Sequence, residues 1–163
     1  NLAFSHSLKN HPFKTLFYSL VFLFKGKPYL KDKISKHFDI PFENLTFNKA
    51  AFDFVREVKN RHRVVYLISG SLQILVDQMG KHLNIFFESF GTKDDFNMVG
   101  INKVHFIKEN LKINDFDYLG NSHKDLPIWK YCKRAIYTNV SKELKKNIQY
   151  LGFEHKEIPA NFS

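Results

Sequence analysis

Five consecutive residues, Val64-Val65-Tyr66-Leu67-Ile68, form an unbroken β-branched and apolar run between Arg63 and Ser69. A run this short and this uniformly apolar leaves no face for water, so it predicts a strand covered on both sides, as in a parallel sheet. Helical and strand patterns alternate from there on. Ser71–Leu83 reads as a helix, Ile85–Phe90 as a strand, Ile101–Leu111 as a helix, and Phe116–Leu119 as a short strand ending at Gly120. Leu126–Cys132 (helix), Arg134–Tyr137 (strand), Ser141–Leu151 (helix) and Phe153–Ile158 (a last strand) complete the series. Such alternation requires crossover connections and predicts an α/β, Rossmann-like, doubly wound parallel sheet over residues 61–163.

The first 60 residues differ in character. Residues 2–10 and 13–24 read as helices separated by His11-Pro12, followed by Tyr29–Phe38 and Asn48–Asn60, so this stretch is expected to be an all-α unit. It also concentrates charge. The chain carries 25 Lys and Arg against 16 acidic residues, a net +9, and six of those nine charges fall in residues 1–36, where seven Lys face only Asp32. Beside them lies the apolar stretch Leu16–Phe24. Three readings fit: a solvated helix pair, an element resting on an anionic membrane face, or phosphate-backbone binding. No nucleic-acid-binding motif accompanies the charge, so no nucleic acid is expected as a partner. Leu16–Phe24 is interrupted by Ser19 and falls short of the ~20 residues that a helix needs to span a bilayer.

Several chemistries are excluded at this level. The single Cys132 rules out a disulfide framework and a cysteine zinc site, and none of the eight His stands in an H-x-x-x-H pair. There is no G-x-G-x-x-G, no P-loop and no G-x-S-x-G elbow.

Ligands of open α/β sheets bind beyond the carboxyl ends of the strands. After Val64–Ile68 come Ser69-Gly70-Ser71, which read either as an anion cradle or as a plain helix cap. After Phe116–Leu119 come Gly120-Asn121-Ser122-His123-Lys124-Asp125, where Asn121 and Asp125 offer hard oxygen ligands for Mg²⁺ or simply shape a turn. Lys103 follows Gly100 at a helix start, placed to neutralise a phosphoryl oxygen or merely solvated. His123 is a lesser candidate for substrate contact, and Asp94-Asp95 read as a solvated loop.

Taken in order, strand-Ser69, Lys103 at a helix start, and strand-Gly120-Asn121-x-x-x-Asp125 resemble motifs two, three and four of the haloacid dehalogenase superfamily over about residues 60–155. The all-α residues 1–60 stand where that family inserts a helical cap. The strings Phe116-Asp117-Tyr118-Leu119-Gly120-Asn121-Ser122, Asp125-Leu126-Pro127-Ile128-Trp129 and Phe24-Lys25-Gly26-Lys27-Pro28-Tyr29-Leu30-Lys31 look more narrowly like the domain fused ahead of UbiA-type membrane prenyltransferases. The resemblance implies a Mg²⁺-dependent phosphatase acting through an aspartyl-phosphate on a small or lipid-linked phosphate ester. In it Ser69 and Gly70 would bind phosphate, Lys103 would offset developing charge, and Asp125 with Asn121 would hold Mg²⁺. The implied location is cytoplasmic, with the basic cap pointing to the inner face of a membrane. Two departures stand out: the family has an acid where Asn121 stands, and no D-x-D stands ahead of the cap, where the family carries its nucleophile. That motif is expected upstream of Asn1. The alternative is a catalytically silent module that positions or regulates a fused or partner membrane prenyltransferase.

Overall fold

The computed structural model describes residues 15–19, by their backbone, and residues 46–162. In chain order the elements are β1 (Thr15–Ser19), α1 (Lys49–Asn60), β2 (Val64–Leu72), α2 (Gln73–Leu83), β3 (Glu88–Thr92) and α3 (Ile101–His105), which runs on into a π-helical turn at Phe106–Asn110. There follow β4 (Asp117–Gly120), a 3₁₀ turn (His123–Asp125), α4 (Leu126–Trp129), β5 (Arg134–Thr138), α5 (Lys142–Gln149) and β6 (Glu154–Ile158). The strands make one parallel sheet in the order β3-β2-β1-β4-β5-β6.

Strand alternation splits the buried side chains between two faces. Val65 and Leu67 of β2, Leu119 of β4 and Ile136 of β5 pack under Ala51, Val55 and Val58 of α1 and Leu75, Val76 and Met79 of α2. Tyr66, Ile68, Tyr118, Ala135 and Tyr137 face the other way, under Val104, Ile107, Ile128, Trp129, Leu144 and Ile148. Covered on both sides, the sheet is the three-layer, doubly wound α/β architecture that the residue pattern predicts.

Four expectations are corrected. Thr15–Ser19 is a strand paired on both edges, to β2 and β4, and not part of a helix over residues 13–24. Lys49–Asn60 is a helix, but its apolar stripe packs into the main core. β2 runs on to Leu72, with a register shift between Ile68 and Leu72, so the helix starts at Gln73 and not at Ser71. The third strand is Glu88–Thr92, displaced toward polar residues, because an edge strand paired on one side does not need a continuous apolar run. The helices expected over residues 2–10 and Tyr29–Phe38 lie outside the described residues. Among the described residues no helix is long and apolar enough to cross a membrane.

The chain leaves β1 at Ser19, level with Ile68 midway along β2 and beside the carboxyl end of β4, whose Leu119 pairs with Tyr18. It is pinned again at that rim by Asn48, the N-cap of α1. The Asn48 amide donates to Thr138 Oγ1 at the end of β5 (3.0 Å), and its oxygen accepts from Ala51 N and Asn161 N (3.3 Å each).

Candidate functional site

α1 and α2, which join β1 to β2 and β2 to β3, lie on one face, while the chain crosses back to β4 through α3 on the other. The winding therefore reverses at β1. In open α/β sheets the crevice at such a reversal, beyond the strands' carboxyl ends, is where ligands bind. Here it is bordered by Ser69 of β2 on one side and by Gly120, the end of β4, on the other.

Ser69 is buried, at 1 % exposure, and its Oγ accepts a hydrogen bond from Ser71 N (3.1 Å). Because α2 begins at Gln73 with no side-chain cap, Ser69-Gly70-Ser71 is a strand end closed by a local serine turn and does not form a helix N-terminus. Gly70 is exposed, and its carbonyl accepts from Thr92 Oγ1 (2.9 Å). A Cβ there would lie 2.8 Å from a Val99 methyl, so a larger residue would push the Val99 side chain aside.

On the other side, Gly100 enters α3 with φ of 56°, and Lys103 lies one turn in, buried at 3 % exposure. Its Nζ donates to the Tyr118 hydroxyl at 2.8 Å and lies 3.6 Å from Asp125 Oδ1. Burial pushes the Lys103 ammonium below the ordinary lysine range, and Asp125 draws it part of the way back. Asp125 is fully engaged. Oδ1 accepts from the Tyr118 hydroxyl (2.8 Å), and Oδ2 accepts from Asn121 N (3.0 Å), Ser122 N (3.1 Å) and Ser122 Oγ (3.3 Å). Ser122 and Asp125 together form a capping box on the 3₁₀ turn. A Cβ on Gly120 would fall 2.8 Å from the Asp125 carboxyl, so glycine lets the carboxylate lie against the strand end.

The structure thus joins Lys103 to Asp125 through Tyr118 at the end of β4 and sets Ser69 at the same rim on β2. Two strand spacings of about 4.8 Å separate the flanking strands, with β1 between them. β1 reads Thr-Leu-Phe-Tyr-Ser, without an acid.

The fit to Mg²⁺ is divided. Asn121 Oδ1 is a buried oxygen with no hydrogen-bond partner, the kind of atom a hard cation would satisfy. Asp125, expected as the companion ligand, spends both oxygens on protein donors, which suits it to orient the loop and Lys103. No group of three or more His, Cys, Asp or Glu is arranged to hold a metal among the described residues. These residues therefore do not make a complete site.

His123, Asp94 and Asp95 are exposed. Cys132 is buried beyond the end of α4. Burial first and the Asp117 charge second push its thiol up to about 12, which leaves it inert. Tyr118 is the site residue that sequence reasoning overlooked. It lies two residues before Gly120, on the sheet face that α3 covers, and that parity was its signal.

No protein-family model matches the chain. It is 26 % identical over 135 residues, 83 % of its length, to the uncharacterized protein y4nM of Sinorhizobium fredii, and spans only 26 % of that relative. A substrate-bound phosphoserine phosphatase superposes with a TM-score of 0.59 at 18 % identity, over 83 % of this chain and 90 % of that one. A HAD family hydrolase from Salmonella enterica gives a TM-score of 0.63 at 11 % identity, over 89 % of this chain and 67 % of that one. The 3-deoxy-D-manno-octulosonate 8-phosphate phosphatase of Moraxella catarrhalis, in complex with magnesium and phosphate ions, gives 0.57 at 14 %, over 94 % and 82 %. With the strand order and the reversal at β1, these likenesses show that the chain has the α/β fold of the haloacid dehalogenase-like hydrolases.

Proposed function

We propose that this chain forms the phosphate-binding core of a haloacid dehalogenase-type phosphatase acting on a small phosphate ester. The observation that carries the proposal is the buried Lys103 ammonium, held at the rim that also bears Ser69, at the reversal of the sheet. Asp125 offsets part of the cost of burying this cation, and an ammonium beside the crevice has the sign that attracts a phosphoryl group. In this reading the Ser69 hydroxyl donates to one phosphoryl oxygen, Gly70 lets the backbone approach it, and Lys103 stabilises the charge that grows in the transition state. Asp125 keeps Lys103 and the 121–122 backbone in place. Mg²⁺, with Asn121 Oδ1 as its ligand from this chain, would neutralise phosphoryl oxygens when bound. Phosphatases of the same fold act on phosphoserine and 3-deoxy-D-manno-octulosonate 8-phosphate, which favours a small substrate. The helical cap, the lipid-linked substrate, the cytoplasmic face of a membrane and the prenyltransferase partner belong to the finer part of the proposal. The cap is supported by the chain leaving and rejoining the sheet at the rim of the crevice.

A second reading, the catalytically silent module, is favoured by one observation: β1 carries no acid between Ser69 and Gly120. Calorimetric titration with inorganic phosphate, paired with an aryl phosphate assay in Mg²⁺, separates the two. Phosphate binding is expected, weakened about tenfold or more in Lys103→Met, as for a lost charge-assisted hydrogen bond. Equal binding by both proteins would overturn the anion site. Binding with turnover supports the enzyme, whereas binding without turnover supports the silent module.

A further inference from the structure

We propose that Tyr118 is the positioning residue that aims the Lys103 ammonium at the anion subsite. The inference rests on the phosphate-binding reading and deepens it. An ammonium only donates, so at 2.8 Å the Tyr118 oxygen must accept from Lys103 Nζ. The single phenolic proton is then left for Asp125 Oδ1, also at 2.8 Å. The direct Lys103–Asp125 distance of 3.6 Å is longer than a hydrogen bond, so the phenol is the shorter link between cation and carboxylate.

Tyr118 is itself held rigidly. Its ring meets Trp129 edge-on at 6.5 Å and 76°, and its main-chain carbonyl accepts from Trp129 Nε1 at 3.3 Å. A phenylalanine would fill the same space against Trp129. What the hydroxyl adds is a fixed acceptor for a side chain with four rotatable bonds, whose ordering is completed before any anion arrives. The Tyr118 ring is fully buried, and Lys103 Nζ, 5.5 Å from its centroid, lies beyond the hydroxyl tip and nearly in line with the C–O bond.

The test is Tyr118→Phe, with the side-chain ammonium of Lys103 observed by ¹H–¹⁵N NMR and assigned by its loss in Lys103→Met. The wild-type chain is expected to show a slowly exchanging Lys103 signal that broadens or vanishes in Tyr118→Phe. Inorganic phosphate affinity should fall about tenfold in Tyr118→Phe, but show no further fall when the same change is made in Lys103→Met. An unchanged, sharp Lys103 signal in Tyr118→Phe overturns the proposal, as does an equal loss of affinity in both backgrounds. If the wild-type chain binds no phosphate, the phosphate-binding reading falls, while the NMR signal still decides whether Tyr118 holds Lys103. Should Tyr118→Phe not fold, 3-fluorotyrosine labelling of the intact chain weakens the phenol as an acceptor. It is expected to shift the Lys103 signal, and no shift overturns the proposal.

Discussion

β4 begins on one buried carboxylate, Asp117, and has another, Asp125, beyond its last residue, and the two are held by different donors. At the amino end, Asp117 Oδ2 accepts from Arg63 (2.7 Å) and Arg134 (2.8 Å), and Arg134 also reaches Glu154 at 3.6 Å. Asp117 and Arg134 are register partners on neighbouring strands, and Arg63 directly precedes β2, so the cluster ties β2, β4 and β5 together. Beyond the carboxyl end, Asp125 is held by two backbone N–H groups, two hydroxyls and one lysine. Guanidinium groups are planar and permanently charged, whereas an ammonium on a flexible stem and hydroxyls that rotate can exchange partners. One end of the strand is built to stay closed, and the other is held by groups that can change partners.

The largest expected effect breaks the closed end. Asp117→Ala leaves two partly buried guanidiniums without their shared partner and should cost about 3 kcal/mol of stability, read from urea unfolding. Phosphate affinity of the folded variant should be unchanged. If affinity falls with stability, the two ends of β4 are not independent and the contrast fails.

A smaller effect sharpens the open end. Burial holds the folded Lys103 below its unfolded value, so the folded state sheds this proton first as pH rises. Stability of the wild type relative to Lys103→Met should therefore increase with pH between the depressed folded pKa and about 10.5, the unfolded value, and level off above it. Parallel unfolding curves of the two proteins across that window would show that burial does not dominate at Lys103.

The smallest effect returns to the amino end. With its thiol pushed up to about 12 by burial and by Asp117, Cys132 should resist alkylation in the native chain at pH 8 and react only on unfolding, as followed by mass spectrometry. Rapid native labelling would mean that the core beside Asp117 opens readily.

The sequence pattern told most where one physical cause acts alone. β2, β4 and β5 are covered on both faces, and their apolar runs mark them. α1, α2 and α5 show helical apolar spacing, with Asn48 and Ser141 accepting N-cap bonds for α1 and α5. The pattern misled at Thr15–Ser19, because a short apolar stretch suits a doubly covered strand and a buried helix equally, and only pairing partners decide. At the site, Ser69, Lys103 and Asp125 were legible as residue types after strand ends or at a helix start. The Asp125 partners were not, since they depend on which way a short turn folds back. Tyr118 was hidden for a related reason: a tyrosine within an apolar strand reads as core until the lysine above it is located.

Asn48 has a consequence beyond capping α1. Its side chain berths the start of α1 against Thr138 and Asn161, two positions far along the chain. One amide therefore fixes the start of α1, the end of β5 and the stretch after β6 together, and its loss would loosen all three at once.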